Sequence, residues 1–318
     1  MKRLVMAATT AALCLALTVC TPADEAGSAP AEGLSATTGP LQITDMPAFF
    51  DCVRTEKGVL IAAHRGGPAP GYPENALETL QNTLSLGVPM MEIDVAESQD
   101  GVLYLMHDRS LTRTTALQKA VAEVDWSDVS RLKLSDNNGR VTAYSPPAFS
   151  DVLEWAVSSG AIMELDRKPT TSFRNIIAAV REAGAENNVI LISYNDNQAE
   201  EIARLAPDLM MTAGVNSRDH QTNLEAAGVD MDHVIAWLGT NNPNPRAFQA
   251  LASRGIESAF GTLGRPGERL DDTYWADGDG SEYADMVRDG LVLLATDEPF
   301  RVADALTADD RALEVCGQ

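Results

Sequence analysis

Basic residues, aromatic residues, cysteine and histidine are all scarce in this sequence. Its 318 residues include 24 Lys and Arg against 46 Asp and Glu, so the net charge at pH 7 is −22. Such a charge repels phosphate backbones and anionic lipid surfaces, which argues against nucleic acid as a partner. No internal stretch reaches the ~20 apolar residues of a membrane helix. Apolar residues still make up 45% of the chain, as in an ordinary globular protein.

Four common catalytic signatures are also missing from the sequence. It contains no GxxxxGK[ST], GxSxG, HExxH or GxGxxG pattern. The sequence motifs therefore give no support for a nucleotide hydrolase with a phosphate-binding loop, a serine esterase with a nucleophile elbow, a zinc protease or a dinucleotide-binding fold. Any chemistry must come from a different arrangement of side chains.

The first twenty residues are typical of an export signal. Lys2 and Arg3 precede an apolar run that extends from Leu4 to Val19. The tetrapeptide LTVC, which ends at Cys20, resembles a bacterial lipoprotein box. Two outcomes remain open, a lipid anchor on Cys20 or conventional cleavage nearby. The sequence thus predicts an exported protein, either periplasmic or held at the membrane only by an N-terminal lipid.

Residues 21–47 form a separate segment in the predicted organisation. Ala, Gly, Ser, Thr and Pro dominate it, which is the composition of a flexible linker. The folded domain is therefore predicted to extend over residues 48–318.

The folded part alternates short apolar runs with stretches of helical spacing, which predicts a parallel α/β fold, and its length fits a (β/α)8 TIM barrel. Nine candidate strands compete for eight places, and we take Val234–Leu238 as the extra one. The segment from Ser110 to Pro146 lacks a clear period and is predicted to be a small insertion after strand three. The candidate strands are Val59–Ala63, Met90–Val95, Val102–Met106, Ala161–Leu165, Val189–Tyr194, Leu209–Val215, Val234–Leu238, Ile256–Phe260 and Leu291–Ala295.

Two cysteines remain in the predicted domain, Cys52 and Cys316. Because the two ends of a closed barrel lie near each other, this pair is predicted to form one disulfide in an oxidising compartment. Two unrelated buried thiols are the alternative.

Two of the four histidines directly follow candidate strands. His64 comes after the first strand and His107 after the third, so both are expected at the C-terminal mouth of the barrel, where active sites of this fold assemble. An imidazole can accept or donate a proton near neutral pH. A facing pair can therefore serve as general base and general acid, while a single strand-end histidine is more often structural.

Acidic residues alternate along two candidate strands. Glu92 and Asp94 share one face of the second strand, and Glu164, Asp166 and Lys168 share a face of the fourth. Four carboxylates at one mouth require protonation or a cation. An all-oxygen ligand set favours Mg²⁺ or Ca²⁺. Structural ion pairs with Lys168 and Arg65 are the alternative.

Arg65 is followed by Gly66 and Gly67, a pattern that suits phosphate binding but is weak by itself. The two glycines allow the backbone to approach an anion, and the guanidinium matches phosphate oxygens.

A set of motifs, dense between residues 61 and 115, resembles the glycerophosphodiester phosphodiesterase family. In chain order they are His64-Arg65-Gly66, Pro73-Glu74-Asn75, Glu92-Ile93-Asp94-Val95, Asp100-Gly101, His107-Asp108, Leu111, Arg113-Thr114-Thr115 and, after the last strand, Thr296-Asp297-Glu298-Pro299.

This resemblance implies a metal-dependent TIM-barrel hydrolase that converts glycerophosphodiesters to glycerol 3-phosphate and an alcohol, with Mg²⁺ or Ca²⁺ as cofactor. By position, the acid/base pair is His64 and His107. Phosphate binding falls to Arg65, Lys168 and Asn75, and metal binding to Glu92, Asp94 and a third ligand. We prefer Asp166 to Glu164 as that third ligand, since Asp166 keeps Lys168 in the place that neutralises phosphate.

One departure from the family concerns the alcohol group of the substrate. The family's Trp-Thr-x-Asn on strand seven is missing, and residues 260–263 (FGTL) occupy its place. The identity of the alcohol therefore stays open. A related lipid phosphodiesterase acting on lysophospholipid or sphingolipid head groups, and a non-catalytic phosphodiester-binding lipoprotein, are the alternative functions.

Overall fold

The computed structural model of the protein describes residue 1 and residues 41–317. The predicted signal, the lipidation site at Cys20 and the linker up to residue 40 lie outside the described residues. The last part of the predicted linker belongs to the fold. Leu41 and Met46 are buried, and a helix begins at Met46, so the domain starts several residues before residue 48.

Eight parallel strands close into a barrel, as the sequence predicts. The hydrogen-bonded order is β1-β2-β4-β5-β6-β7-β8-β9, and β9 pairs with β1 to close the ring. The strands are buried on both faces, which explains their almost continuous apolar runs. The bounds of these eight strands, and of β3, which lies outside the ring, are β1 Leu60–Ala63, β2 Met90–Glu97, β3 Leu103–Leu105, β4 Ile162–Arg167, β5 Val189–Ile192, β6 Met210–Gly214, β7 Val234–Trp237, β8 Glu257–Gly261 and β9 Leu293–Thr296.

The strand outside the barrel is β3, so the choice of Val234–Leu238 as the extra strand was wrong. β7 lies between β6 and β8, whereas β3 pairs antiparallel with the end of β2. Only residues 98–102 separate β2 from β3. A parallel crossover needs a dozen or more residues, so this connection can only form a hairpin.

Fourteen α-helices are present in residues 41–317, and the longer ones surround the barrel. Side chains cap several of them. Ser172, Asn195 and Asn244 each accept a hydrogen bond from a backbone N–H in the first turn. The helices are α1 Met46–Thr55, α2 Leu77–Ser85, α3 Thr112–Thr115, α4 Trp126–Val129, α5 Phe149–Ser159, α6 Phe173–Ala183, α7 Asp196–Leu205, α8 Arg218–Ala226, α9 Pro245–Ala252, α10 Leu270–Tyr274, α11 Ser281–Arg288, α12 Pro299–Ala305, α13 Ala308–Arg311 and α14 Leu313–Cys316.

Helix α1 covers the N-terminal end of the barrel. Its Phe49, Phe50 and Val53 belong to one buried cluster with inward side chains of the barrel strands. The expected disulfide joins this helix to the C-terminal α14, with Cys52 and Cys316 bonded and their Cα atoms 5.7 Å apart. The bond therefore ties the two ends of the described chain together beneath the barrel.

The excursion between β2 and β4 has a small core of its own. Tyr104, Leu111 and Val129 are among its fully buried residues. This segment lies beside the mouth of the barrel, because β3 pairs with the end of β2 and brings the following residues back to it. Among the described helices, none is both long and apolar enough to cross a bilayer.

Candidate active site

The pairing of β2 with β4 creates the acidic centre of the site. Glu92 lies opposite Glu164, and Asp94 lies opposite Asp166. Of these four, Glu92, Asp94 and Asp166 place one carboxylate oxygen each within 4.8 Å of one another, and all three residues are buried. The third member of the group is thus Asp166, and Glu164 lies outside it.

Lys168 balances part of the charge of this cluster. Its Nζ lies 2.5 Å from Asp94 and 2.6 Å from Asp166. Although burial opposes ionisation of Asp94, Lys168 keeps the pKa of that carboxyl below its usual range. Burial and the charges of Asp94 and Asp166 raise the pKa of Glu92 well above its usual value. Lys168, together with Arg65, whose Nε lies 4.0 Å from Asp94, therefore leaves part of the negative charge of the cluster unbalanced.

The chemistry of this donor set fits a hard divalent cation. Glu92, Asp94 and Asp166 offer only oxygen ligands, they are buried together, and their mutual repulsion is only partly relieved by Lys168. Mg²⁺ and Ca²⁺ bind to carboxylates of this kind. The three residues are therefore candidate ligands of such an ion.

Glu164 occupies a neighbouring position in the same cavity. It is buried, and its side chain interacts with Thr212 on β6. Burial, followed by the charge of Asp166, raises the pKa of Glu164 to about 7.

His64 is held by a carboxylate from the last barrel strand. It directly follows β1, and its Nδ1 donates to Asp297 over 2.7 Å. Its Nε2 therefore points towards Glu92, whose nearest oxygen is 4.0 Å away. Arg269 and the backbone N–H of Gly264 each donate to the second oxygen of Asp297 over 3.0 Å. The imidazole thus has a fixed orientation and a fixed tautomer.

His107 has the same arrangement from the other side. Its Nδ1 donates to Asp108 over 2.6 Å, and its Nε2 accepts from the guanidinium of Arg65 over 2.8 Å. The antiparallel β3 carries it there, because Met106 donates its backbone N–H to the carbonyl of Asp94. His107 therefore reaches the mouth of the barrel through a hairpin. The sequence had suggested that a barrel strand would carry it there.

The loop after β1 places Arg65 between these groups. Its backbone is left-handed, with φ of 52°, and its N–H donates to Glu92 over 2.8 Å. Gly66 and Gly67 follow with positive φ, and a Cβ on either would come within 2.5 Å of Leu80 or 2.7 Å of Thr83. The two glycines thus allow the loop to pack tightly against α2.

The predicted phosphate-binding role of Asn75 does not agree with its position. The residue is buried, its amide nitrogen donates to Asp94 over 2.6 Å, and its amide oxygen accepts the backbone N–H of Asp94 over 3.0 Å. Both ends of the amide are occupied, so Asn75 positions Asp94.

The predicted catalytic side chains line one cavity of about 610 Å³. His64, His107 and all four carboxylates form part of its wall. Most of the rest comes from β5 to β8 and the residues that directly follow them, including Tyr194 and Trp237. A second, more polar cavity of about 390 Å³ lies against the other side of His64 and Arg65.

Sequence reasoning overlooked the residues that hold the histidines and Arg65. Asp297 and Asp108 were noted only as parts of motifs, without a role. Glu74 pairs with Arg65 over 3.1 Å and with Arg113 over 2.7 Å. An acidic residue next to a strand-end histidine, as in His107-Asp108, was the available signal. No comparable signal linked Asp297 to His64, because 233 positions separate them in the sequence.

Comparisons with known proteins indicate which family the chain resembles. A sequence model of the glycerophosphoryl diester phosphodiesterase family matches residues 64–260. An uncharacterised Bacillus subtilis protein, YqiK, is 30% identical over 47% of this chain and 63% of its own length. A glycerophosphodiester phosphodiesterase of Bacillus altitudinis is 23% identical over 65% of this chain and 92% of its own. A third relative, from Caldanaerobacter subterraneus, is matched over 64% of its length, so the chain spans somewhat less than two thirds of some curated relatives.

Solved structures of similar proteins have the same architecture. A glycerophosphoryl diester phosphodiesterase from Parabacteroides distasonis is 27% identical, with a TM-score of 0.71, over 84% of this chain and 93% of that one. A phosphodiesterase from Oleispira antarctica, solved in complex with sn-glycerol-3-phosphate, is 18% identical with a TM-score of 0.59, over 79% and 98% of the two chains. The family match covers more than half of the sequence and includes His64 and Arg65, which directly follow β1, and the β2 and β4 segments. The chain therefore belongs to the glycerophosphoryl diester phosphodiesterase family.

Proposed function

We propose that the protein hydrolyses glycerophosphodiesters to glycerol 3-phosphate and an alcohol with the help of a divalent cation. The observation that carries the proposal is the meeting of two imidazoles and three carboxylates in one cavity. The product complex of the Oleispira antarctica phosphodiesterase, which has the same fold, supports the substrate class.

The two histidines are the acid/base pair in this proposal. Each has its Nδ1 bound to an aspartate, so Nε2 is the nitrogen that exchanges a proton. In His107 this nitrogen accepts from Arg65, which must release it when substrate binds. One imidazole is neutral and takes the proton of the attacking oxygen at Nε2, while the other is an imidazolium that gives its Nε2 proton to the leaving alkoxide. Because an aspartate fixes the orientation of each ring, neither imidazole has to rotate when substrate binds.

Arg65 and Lys168 supply positive charge for the phosphate. The Arg65 guanidinium lies between His107 and Glu74, and Lys168 lies over Asp94 and Asp166. Both can stabilise the charge that builds on the phosphoryl oxygens. Glu92, Asp94 and Asp166 would hold the divalent ion, whose chemistry when bound is to polarise a phosphoryl oxygen as a Lewis acid.

The test is hydrolysis of glycerophosphocholine, measured as release of glycerol 3-phosphate. His64→Ala or His107→Ala should lower kcat by about a hundred-fold or more, because general acid–base catalysis contributes 10² to 10⁴. His220→Ala is the matched control, since His220 pairs with Asp196 outside the cavity. Near-normal turnover in either of the first two variants would refute the assignment.

We further propose that the protein works outside the cytoplasm, either in the periplasm or on a lipid anchor. The disulfide between Cys52 and Cys316 supports this, because such bonds persist in oxidising compartments. Mass analysis of the mature N-terminus would distinguish lipidated Cys20 from simple cleavage. An intact Met1 would contradict export by this signal.

A further inference from the structure

A chain of buried hydrogen bonds leads from His64 into the segment between β8 and β9. His64 is held by Asp297, and the backbone N–H of Asp297 donates to the carboxylate of Asp271 over 2.9 Å. Gly264 and Arg269, which hold the second oxygen of Asp297, belong to the same segment. Asp271 lies in α10, is fully buried and lines neither cavity at the mouth of the barrel. It can therefore influence the site only through the residues that it contacts.

Within residues 41–317, Asp271 is a buried carboxylate with no lysine, arginine or histidine as its partner. Its oxygens accept from the hydroxyl of Tyr283 over 2.6 Å, from the hydroxyl of Thr296 over 2.8 Å and from the backbone of Asp297. Arg269, two positions earlier, pairs with other carboxylates. Because a buried charge is unfavourable unless hydrogen bonds compensate it, these three donors hold the Asp271 carboxylate in place.

Packing fixes the direction of the Tyr283 hydroxyl. The residue is fully buried in α11, and its ring centroid lies 5.3 Å from that of Tyr274 and 5.4 Å from that of Trp275. Arg301 of α12 lies 4.1 Å above the ring of Trp275. Burial, followed by the charge of Asp271, raises the pKa of Tyr283, so its hydroxyl keeps the proton and donates it. The aromatic cluster thus directs a protonated donor at Asp271.

The other two donors are neighbours at the end of β9. Thr296 is the last residue of that strand and is fully buried, and Asp297 directly follows it. Asp271 binds the side chain of the first and the backbone of the second, so it fixes the position of the chain where the strand ends. From this point the side chain of Asp297 reaches Nδ1 of His64 over 2.7 Å. A displacement at Asp271 would therefore move the imidazole as well.

We propose that Asp271 and Tyr283 are positioning residues, which hold Asp297 so that the His64 imidazole keeps its orientation at the mouth of the barrel. The inference rests on the proposed function, in which Nε2 of His64 exchanges a proton. Displacement of a reacting group by about 1 Å can lower the rate about a hundred-fold. Support from buried residues that do not touch the substrate therefore has a measurable effect on turnover.

The first experiment measures the kinetics of glycerophosphocholine hydrolysis. Tyr283→Phe keeps the ring and removes the donor, so it should lower kcat by about three- to ten-fold, the effect of one hydrogen bond. KM should stay unchanged, because Tyr283 lines neither cavity. Tyr274→Phe is the matched control. It makes the same change in the same aromatic cluster, and Tyr274 does not donate to Asp271, so wild-type kcat is expected.

Two variants of Asp271 separate its hydrogen bonds from its charge. Asp271→Ala leaves three donors without an acceptor and should lower kcat by about ten-fold or more. Asp271→Asn should restore most of the activity. Its amide oxygen can accept from the backbone of Asp297, and its amide nitrogen can donate to the hydroxyls of Tyr283 and Thr296, since a hydroxyl can also accept.

The second experiment observes the imidazoles directly, by NMR of protein whose histidines carry a nitrogen isotope. The chain has four histidines, and His64→Ala identifies the signal of His64. In the wild type this signal should show a proton on Nδ1 that exchanges slowly with water. Tyr283→Phe and Asp271→Ala should shift the signal and accelerate the exchange. The signal of His107, which Asp108 holds on the other side of the site, should not change.

Wild-type kcat in both Tyr283→Phe and Asp271→Ala would overturn the inference, as would a loss that Tyr274→Phe reproduces. Both results leave the proposed function standing, because hydrolysis still occurs. An unchanged His64 signal, or an equal change in the His107 signal, would also overturn it, since general loosening affects both rings. If Asp271→Ala does not fold, Tyr283→Phe decides. If the wild type releases no glycerol 3-phosphate, the proposed function fails, and the two NMR signals then decide the inference alone.

Discussion

Single residues decide how the two imidazoles are oriented. Asp297 and Asp108 each accept a hydrogen bond from Nδ1 of one histidine, at 2.7 Å and 2.6 Å. Neither aspartate can donate when ionised, so both rings carry a proton on Nδ1, and Nε2 is the nitrogen that remains for proton transfer. In His107 that nitrogen accepts from Arg65. Asp297 is held in turn by Arg269 and by its own backbone N–H, which donates to the buried Asp271.

Asp297→Asn should impair turnover and change the response of stability to acid. An amide can donate to Nδ1 and so favour the wrong tautomer, which should lower kcat by an order of magnitude or more with little effect on KM. In the wild type, hydrogen bonding and charge from His64 outweigh burial and hold the pKa of Asp297 at about 2. The pKa of Asp297 is therefore lower in the folded than in the unfolded protein. Ionised Asp297 stabilises the folded protein above pH 4, and this stabilisation is lost as the pH falls towards 2. This is roughly 2 kcal/mol in the free energy of unfolding.

Steady-state kinetics and urea unfolding between pH 6 and pH 2.5 test this prediction. Asp272→Asn is the matched control, because Asp272 pairs with Arg269 but makes no contact with His64. If Asp297→Asn kept the wild-type kcat, Asp297 would have no positioning role.

At the scale of elements, helix α1 and the C-terminal α14 close the end of the barrel opposite the site. Phe49 and Phe50 pack into the bottom of the barrel, and Arg54 donates to the buried Glu257 of β8 over 2.7 Å. The disulfide joins α1 to α14 across a sequence separation of 264 residues. This end is thus held by packing, an ion pair and a covalent bond.

Replacing both Cys52 and Cys316 by serine should lower the melting temperature and leave the active site intact. Removal of a native disulfide that closes a long loop costs about 2–5 kcal/mol. For a chain of this size that corresponds to a decrease of roughly 5–15 °C. Calorimetry of the oxidised wild type and the double variant measures it.

A reductant added to the wild type should reproduce the decrease, and it should have no effect on the double variant. Equal melting temperatures for oxidised wild type and double variant would show that the bond contributes nothing to stability.

At the scale of the whole molecule, charge is arranged unevenly. The net charge of −22 is accompanied by a buried acidic cluster at the mouth of the barrel. Such a cluster is unfavourable in the folded chain, because burial and repulsion disfavour ionisation of Glu92. A divalent ion that binds only the folded state would remove this repulsion and stabilise the protein.

Mg²⁺ or Ca²⁺ should raise the melting temperature of the wild type, measured against NaCl of equal ionic strength. At a concentration 100 times the Kd, binding to the folded state alone adds about 2.7 kcal/mol. Asp94→Asn should abolish the increase, and a chelator should reverse it. Glu97→Gln is the control, because Glu97 is on the same strand but outside the cluster. The same increase in all three proteins would indicate general screening and contradict a site at the cluster.

Local sequence patterns were sufficient to predict a barrel and several of the candidate site residues. Strands that are buried on both faces have continuous apolar runs, and helices on the outside have apolar residues at regular intervals. Both can therefore be identified without knowing which elements they pack against. His64, Glu92, Asp94 and Asp166 could be singled out because each lies on or directly after such a run.

Only the tertiary structure decided how distant segments meet. β3 and β7 have similar apolar runs, and hydrogen bonding alone places one in a hairpin and the other in the barrel. Asp297 reaches His64 because closure of the ring brings β9 beside β1. Asn75 turns towards Asp94 because both are buried at the junction of α2 and β2. Periodicity reports which face of an element is buried, whereas these contacts depend on which elements are neighbours in space.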